Sequence, residues 1–285
     1  MIIQANDPEI TSLMKISNTI TGATLPWQFS AFPDGQVQLK VPKSAVGDFD
    51  QFDVKVSLAN PIILDLFMQL LYSESIIRIK INYLYGARCD KIESGDYYVC
   101  NVAAKVLEDI HDHDGYIRSC DFLAPHCLDL VNEYSNSKSI YTIPDCVDLS
   151  DYDMIIFPDE SAFNRYAPQI DGMLYMICEK HRDQESGKII SHKIPALPDH
   201  VKKVILLDDL GDALGSFINI AKTTPENVLL DLFIFHGVFT NNALQRGLEY
   251  FNKIIVSNSL LAPQKQYEAL PDEDKSRVVI FDVWD

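Results

Sequence analysis

The sequence predicts an α/β chain of two tandem doubly wound domains. Three observations carry that expectation. Short, wholly apolar runs such as Met154-Ile-Ile-Phe157 and Val204-Ile-Leu-Leu207 suit strands buried on both faces of a parallel sheet. Stretches of helical period lie between such runs in both halves of the chain. The length of 285 residues is enough for two domains of ordinary size. Composition agrees, because 47% hydrophobic and 23% charged residues belong to a globular chain rather than a disordered or collagenous one.

Taken in order, Asn60-Pro61 reads as a helix N-cap followed by proline at the first helical position. Asp65, Gln69 and Ser73 then form a narrow polar stripe on a helix that is otherwise apolar as far as Tyr72. Ile77-Arg-Ile-Lys-Ile-Asn-Tyr83 alternates as a strand does. A turn at Tyr85-Gly86 follows, and then a helical stretch from Asp96 to Ile110. The polar, loop-like sequence from Glu133 to Ser139 marks the joint and divides the chain into domains at 1–138 and 139–285. In the second half, strands are expected at 154–157, 204–207, 229–235, 253–257 and 278–283, with helices near 216–222 and 242–251.

With 24 basic against 41 acidic residues the net charge is −17. A surface of that sign repels phosphate backbones and anionic lipid, so neither nucleic acid nor a membrane is an expected partner. An anionic substrate would have to be met locally, by backbone amides, a few Lys or Arg, or a metal. The strongest apolar run, Pro61 to Tyr72, is too short to cross a bilayer. Cys89, Cys100, Cys120, Cys127, Cys146 and Cys178 form no CxxC pair. Met1 to Ile10 carries no basic segment leading an apolar one. Reduced thiols in a cytoplasm are the expectation.

The segment richest in chemistry is Val204-Ile-Leu-Leu-Asp-Asp-Leu-Gly-Asp-Ala-Leu-Gly-Ser216. An apolar strand ends in adjacent carboxylates, Asp208 and Asp209, and a loop through Asp212, Ala213, Leu214 and Gly215 opens a helix near Ser216. Ligands of open α/β sheets bind beyond the carboxyl ends of strands, where a helix N-terminus also offers free N–H groups to an anion. Paired Asp side chains can accept hydrogen bonds from vicinal sugar hydroxyls while loop amides hold a phosphate. Standing alone, an Asp-Asp of this kind would be an acidic turn with Ser216 as its helix cap.

The pattern resembles the ribose-phosphate loop of type I phosphoribosyltransferases and of ribose-phosphate pyrophosphokinases. Further stretches favour the latter. Phe32-Pro-Asp34-Gly35-Gln36, with Val46-Gly47-Asp48 beyond it, is similar to that family's Phe-x-Asp-Gly-Glu segment and its Val-x-Gly-x-Asp. Tyr83-Leu-Tyr-Gly-Ala-Arg88-Cys89-Asp90-Lys91 resembles its Tyr-x-Gly-Tyr-Ala-Arg-Gln-Asp motif. Lys180-His181-Arg182 matches the Lys-x-Arg of its catalytic loop. Phe235-His-Gly-Val-Phe-Thr240 resembles its Thr-His-Gly-Ile-Phe-Ser, with Val256-Ser-Asn258 at the expected distance. Order and spacing hold from about residue 29 to 283.

The resemblance implies the fold of type I phosphoribosyltransferases in both domains, with the ATP side in the first and the ribose-phosphate and catalytic loops in the second. It implies a Mg²⁺-dependent reaction in which the anomeric hydroxyl of a 5-phosphorylated ribose attacks the β-phosphorus of ATP and AMP is released. Lys180 and Arg182 would be catalytic. Phe32 would stack on adenine from a neighbouring subunit, Asp34 and Gln36 would bond the adenine edge, and Arg88 and Asp90 would serve the ATP site. Asp208 and Asp209 would take the ribose hydroxyls, and the amides of Asp212, Ala213, Leu214, Gly215 and Ser216 the 5-phosphate. A homo-oligomer, dimer or hexamer, is implied.

The departures from the pattern cluster around the sugar phosphate. Gln36 replaces a glutamate, and Leu123 stands where the family has a metal-binding histidine, with His126 nearby as its substitute. The Pro-Asp-x-Gly-Gly motif has become Pro158-Asp159-Glu160-Ser161-Ala162, which keeps the metal-associated Asp159 and loses both glycines. Asp-Thr-x-Gly-Thr is Asp212-Ala-Leu-Gly-Ser216. Such a pocket suggests either ribose 5-phosphate or the longer acceptor ADP-ribose, which divergent phage-type relatives convert to its pyrophosphate in rebuilding NAD. The alternative is a non-catalytic subunit that scaffolds or regulates an active synthetase.

Overall fold

The computed structural model describes residues 4–42, 51–72, 76–85, 102–113, 116–126, 131, 137–170, 172–182, 189–193 and 196–285. The chain divides into two compact units, Met1–Ile140 with Trp284, and Tyr141–Val283 with Asp285.

The first unit opens with α1 (Pro8–Thr11), β1 (Met14–Asn18) and β2 (Thr24–Leu25), followed by a hairpin of β3 (Gln28–Ala31) and β4 (Val37–Lys40). It continues through β5 (Phe52–Leu58), α2 (Pro61–Leu71), β6 (Ile76–Leu84), α3 (Val102–Asp112), β7 (Ser119–Leu123) and β8 (Ser137–Ile140). The main sheet runs β2-β1-β5-β6-β7-β8, parallel from β5 onward, while β1 is antiparallel to both of its neighbours. Asn60 caps α2 as expected, its side chain accepting from the N–H groups of Ile62 and Ile63. Two expectations change. Residues 137–139, read as loop, pair with β7 as a strand, and of the predicted helix at 96–110 only the part from Val102 lies within the described residues. The β5–β6 register slips between Val56 and Ser57. Asn82 falls in that slip, fully buried, and its amide has no hydrogen-bond partner among the described residues.

In the second unit the elements are β9 (Met154–Phe157), α4 (Glu160–Tyr166), β10 (Tyr175–Ile177) and a hairpin of β11 (Glu179–Arg182) and β12 (Ile189–Lys193). Then come β13 (Lys203–Gly211), α5 (Gly215–Ala221), β14 (Leu229–Gly237), α6 (Ala243–Gly247), β15 (Lys253–Ser257), α7 (Leu261–Glu268), α8 (Asp272–Lys275) and β16 (Val278–Phe281). Its sheet is parallel throughout in the order β10-β9-β13-β14-β15-β16. The wholly apolar runs behave as their composition demands: all four residues of β9 are buried, as are Val204 to Leu207 of β13. Leu206, Leu232, Ile234, Ile254 and Val256 form the floor of a core that Phe217, Leu244 and Phe251 also enter. The helix expected at 242–251 is shorter: Asn241 and Asn242 adopt left-handed backbone before it, and only Ala243–Gly247 is α-helical.

At the carboxyl end of this sheet Gly211 of β13 pairs with Gly237 of β14. A Cβ at Gly237 would lie 2.9 Å from side-chain carbons of Phe239, Pro263 and Val256. Overpacking of this kind costs about 1–3 kcal/mol. Gly237→Ala is therefore expected to lower the urea midpoint with the slope unchanged, and an unaltered midpoint would show that the loop relaxes freely.

Candidate active site

The strand order of the second unit is that of a doubly wound sheet whose winding reverses between β9 and β13, and ligands of such sheets bind beyond the strand ends at that reversal. The acidic residues singled out above collect there. Asp159, directly beyond β9, is the N-cap of α4 and accepts from the N–H of Ala162 at 2.9 Å. Ala162, at one of the lost glycines, turns its methyl into the core. Asp208 and Asp209 lie within β13, which continues to Gly211 instead of ending before them.

The two adjacent acids have different surroundings. Asp209 is 1% exposed and receives Nη1 of Arg165 at 2.8 Å, whereas Asp208 lies 3.7 Å from the same nitrogen and its side chain is 16% exposed. Asp208 also accepts from the backbone N–H of Asp209 at 2.8 Å. Burial, then the charge and hydrogen bonding of Asp209, then the charge of Asp159 push the Asp208 carboxyl well above the usual range, with Arg165 opposing them. Burial alone would lower the Arg165 guanidinium, but Asp209 and Asp208 outweigh it and leave the group raised. Burial and then Asp159 lift the Cys178 thiol up to about 12, so this cysteine is inert.

Arg165 carried no sequence motif and was missed. A single cation in the helix that follows the strand-end Asp159, in a chain with so many acids, was the available signal. By contrast the buried Asp231, at the other end of the sheet, is met by neutral donors, Tyr152 Oη at 2.8 Å and Asn252 Nδ2 at 2.7 Å, and needs no cation.

The loop after β13 departs from a simple helix-capping turn. The residue capping α5 is Leu214, in left-handed backbone (φ 58°) with its side chain buried, so Ser216 is not the cap. Asp212 accepts from Thr240 Oγ1 at 2.6 Å, which ties this loop to the one after β14. In that second loop Phe239, Asn241 and Asn242 also have positive φ. Left-handed backbone at non-glycine residues is costly and gathers at functional loops. The same motif holds His236, buried, with Nδ1 2.8 Å from Ser259 Oγ.

Lys180 and Arg182 lie on β11, opposite His192 and Ile189 of β12, with the register slipping between His181 and Arg182. They belong to an antiparallel pair of strands.

In the first unit, Phe32 to Gln36 form the tip of the β3–β4 hairpin. Phe32 is 48% exposed, Gly35 has φ 91°, and Asp34 Oδ1 accepts from the N–H of Gln36 at 3.1 Å. Gln69, read as part of the polar stripe of α2, fastens this hairpin by accepting from Leu39 N and donating to Val37 O, both at 2.9 Å. His126 is half-buried beyond β7. Arg88, Asp90 and the Val46–Asp48 segment lie outside the described residues. Among the described residues no three His, Cys, Asp or Glu side chains are arranged so that they could hold a metal ion by themselves.

No family model matches the chain. A curated ribose-phosphate pyrophosphokinase of Sulfolobus acidocaldarius is 24% identical over 289 residues, covering 94% of this chain and 92% of the relative. The chloroplastic ribose-phosphate pyrophosphokinase 3 of Oryza sativa is 27% identical over 99 residues, or 34% of this chain and 24% of the relative. Among solved structures, phosphoribosylpyrophosphate synthetase from Mycobacterium smegmatis superposes with a TM-score of 0.68 at 18% identity, covering 92% of this chain and 87% of that one. The chain thus has the fold of phosphoribosylpyrophosphate synthetase and is similar, along nearly its whole length, to a ribose-phosphate pyrophosphokinase.

Proposed function

We propose that this protein is an ATP-dependent pyrophosphokinase. It transfers the β,γ-diphosphate of ATP to the anomeric hydroxyl of a 5-phosphorylated ribose: a bond forms between that oxygen and the β-phosphorus, the hydroxyl proton is released to solvent, the bond from that phosphorus to the α,β-bridging oxygen breaks, and AMP leaves. The observation that carries this reading is the gathering of Asp159, Asp208 and Asp209 at the winding reversal of the second sheet, in the order and spacing of the family's motifs.

The acid pair at 208–209 forms the subsite for the ribose hydroxyls, and the 212–216 loop faces the 5-phosphate. Lys180 and Arg182 supply positive charge where it develops on the transferred group, since phosphoryl transfer depends chiefly on positioning and electrostatics. Magnesium is commonly held by one or two carboxylates together with substrate phosphates, and it would neutralise triphosphate charge. Asp159 fits as the protein carboxylate, because it stands near Asp208 and Asp209, where a cation offsets the mutual repulsion of the acids. The finer reading is that the acceptor is ADP-ribose. It is supported by Ala213, which stands where the family has a threonine and is smaller, and by open space at Gly215, where a Cβ would meet nothing within 4 Å.

The test is incubation with ATP and Mg²⁺ and either ribose 5-phosphate or ADP-ribose, following AMP and products by mass spectrometry. AMP with either acceptor supports the activity, and AMP with ADP-ribose alone supports the finer reading. No AMP with both, together with co-purification of an active synthetase, would replace it by a scaffolding role. Phe32 is proposed to stack on adenine in a neighbouring subunit of a homo-oligomer. Stacking of a base on an aromatic ring is worth about 1–3 kcal/mol. Phe32→Ala is therefore expected to raise the KM for ATP roughly tenfold with kcat little changed, and an unchanged KM would remove Phe32 from the site.

A further inference from the structure

We infer that Arg165 is a positioning residue that gives the two adjacent acids unequal roles, holding Asp209 as its buried ion-pair partner and leaving Asp208 as the carboxylate that meets the ligand. The inference rests on the pyrophosphokinase reading for the identity of that ligand, but not for the pairing itself.

The geometry is asymmetric in three respects. Arg165 Nη1 is 2.8 Å from Asp209 and 3.7 Å from Asp208. Asp209 is 1% exposed and the Arg165 side chain 9%, so their pair is shielded from water, while the Asp208 side chain keeps 16% exposure. Arg165 is also held in place from below. Its helix is anchored at Asp159, and its neighbour Tyr166 is wedged edge-on against Tyr141 and Phe233, with ring centroids 5.9 and 6.0 Å away. A guanidinium so placed has little freedom to follow a substrate.

The physical consequence is a division of labour. Removing one partner of a buried ion pair is strongly destabilising, so the Arg165–Asp209 pair persists whether or not substrate is bound. Asp208 stands at the solvent side of the pair, where a hydroxyl donor can reach it. Two equivalent carboxylates would compete for one guanidinium, and neither would be held in one orientation.

The experiment combines thermal unfolding with acceptor kinetics on the full chain, using Arg165→Met, Asp208→Asn, Asp209→Asn and the two double variants containing R165M. In unfolding, R165M and D209N should be strongly non-additive, with the double variant recovering most of the midpoint lost by R165M, whereas R165M and D208N should be close to additive. In kinetics, D208N should raise the KM for the ribose acceptor about ten times more than D209N does, with the KM for ATP unmoved. R165M/D209N should then raise the acceptor KM while leaving the ATP KM as in the parent, a split that a purely structural role would not produce. Arg165→Lys keeps the charge and guards against loss of folding in R165M; it should restore the acceptor KM in part. Equal effects of D208N and D209N on the acceptor KM, or coupling of Arg165 to Asp208 as large as to Asp209, would overturn the inference. If the parent protein turns over no ribose acceptor, the pyrophosphokinase reading falls while the unfolding cycle still decides the pairing.

Discussion

Asp208→Asn is expected to cut diphosphate transfer about 100-fold and, in the same protein, to raise the unfolding midpoint of the ligand-free chain. The first effect follows from loss of a charged acceptor for a substrate hydroxyl, since hydrogen bonds to charged groups contribute about 1.5–3 kcal/mol. The second follows from the surroundings of Asp208, where burial, Asp209 and Asp159 all disfavour its ionised form. Asparagine removes that charge and keeps an oxygen for the N–H of Asp209. Relief of about 1 kcal/mol would raise the midpoint of a chain this size by roughly 2–4 °C. The pH dependence has a definite sign. Because the folded-state value lies above the unfolded one, the wild-type chain loses stability as pH rises through the native titration of Asp208. The advantage of the variant should be largest above that titration and should shrink as pH falls from it to the ordinary carboxylate range. Thermal scans of both proteins across acid and neutral pH check this. A variant less stable than the parent at neutral pH would mean that Asp208 is paired more closely than its surroundings indicate.

Replacing Lys180 or Arg182 by alanine should have the largest kinetic effect. Cations that stabilise transferring phosphoryl groups are worth 10³-fold or more, so each variant should lose about three orders of magnitude in kcat, with the KM for the ribose acceptor nearly unchanged. Arg182→Lys should recover only part of the loss, because an ammonium cannot reproduce the planar fork of a guanidinium. The decisive measurement is single-turnover AMP formation. A change confined to KM would assign these residues to substrate capture instead, and would leave the source of transition-state charge stabilisation open within β11–β12.

Much of the fold was legible because its signals are local. The strands at Met154–Phe157 and Lys253–Ser257 have the bounds that their apolar runs imply, and Asn60-Pro61 caps α2 in the way its side-chain chemistry predicts. Less local features were not. The β1–β2 and β3–β4 pairings carry no long apolar run, and residues 137–140 are a strand only because β7 offers them a free edge. Positive φ at Leu214, Phe239, Asn241 and Asn242 also left no glycine to announce it. Those conformations are held by the packing of Leu214 and Phe239 into the core and by the Thr240–Asp212 bond.

The sequence by itself determined which residues are the candidates for the chemistry: Asp159 beyond one strand, the adjacent Asp208 and Asp209 following an apolar run, Lys180 and Arg182 together, and Phe32 beside a turn, because such patterns are recorded within a few consecutive residues. Only the tertiary structure decided how those residues differ from one another. Asp208 and Asp209 are chemically identical neighbours in the chain. They become unequal because α4 brings Arg165 to within 2.8 Å of one and leaves it 3.7 Å from the other. Charge compensation in a buried site depends on distance and on exclusion of water, and neither is written in the order of the residues.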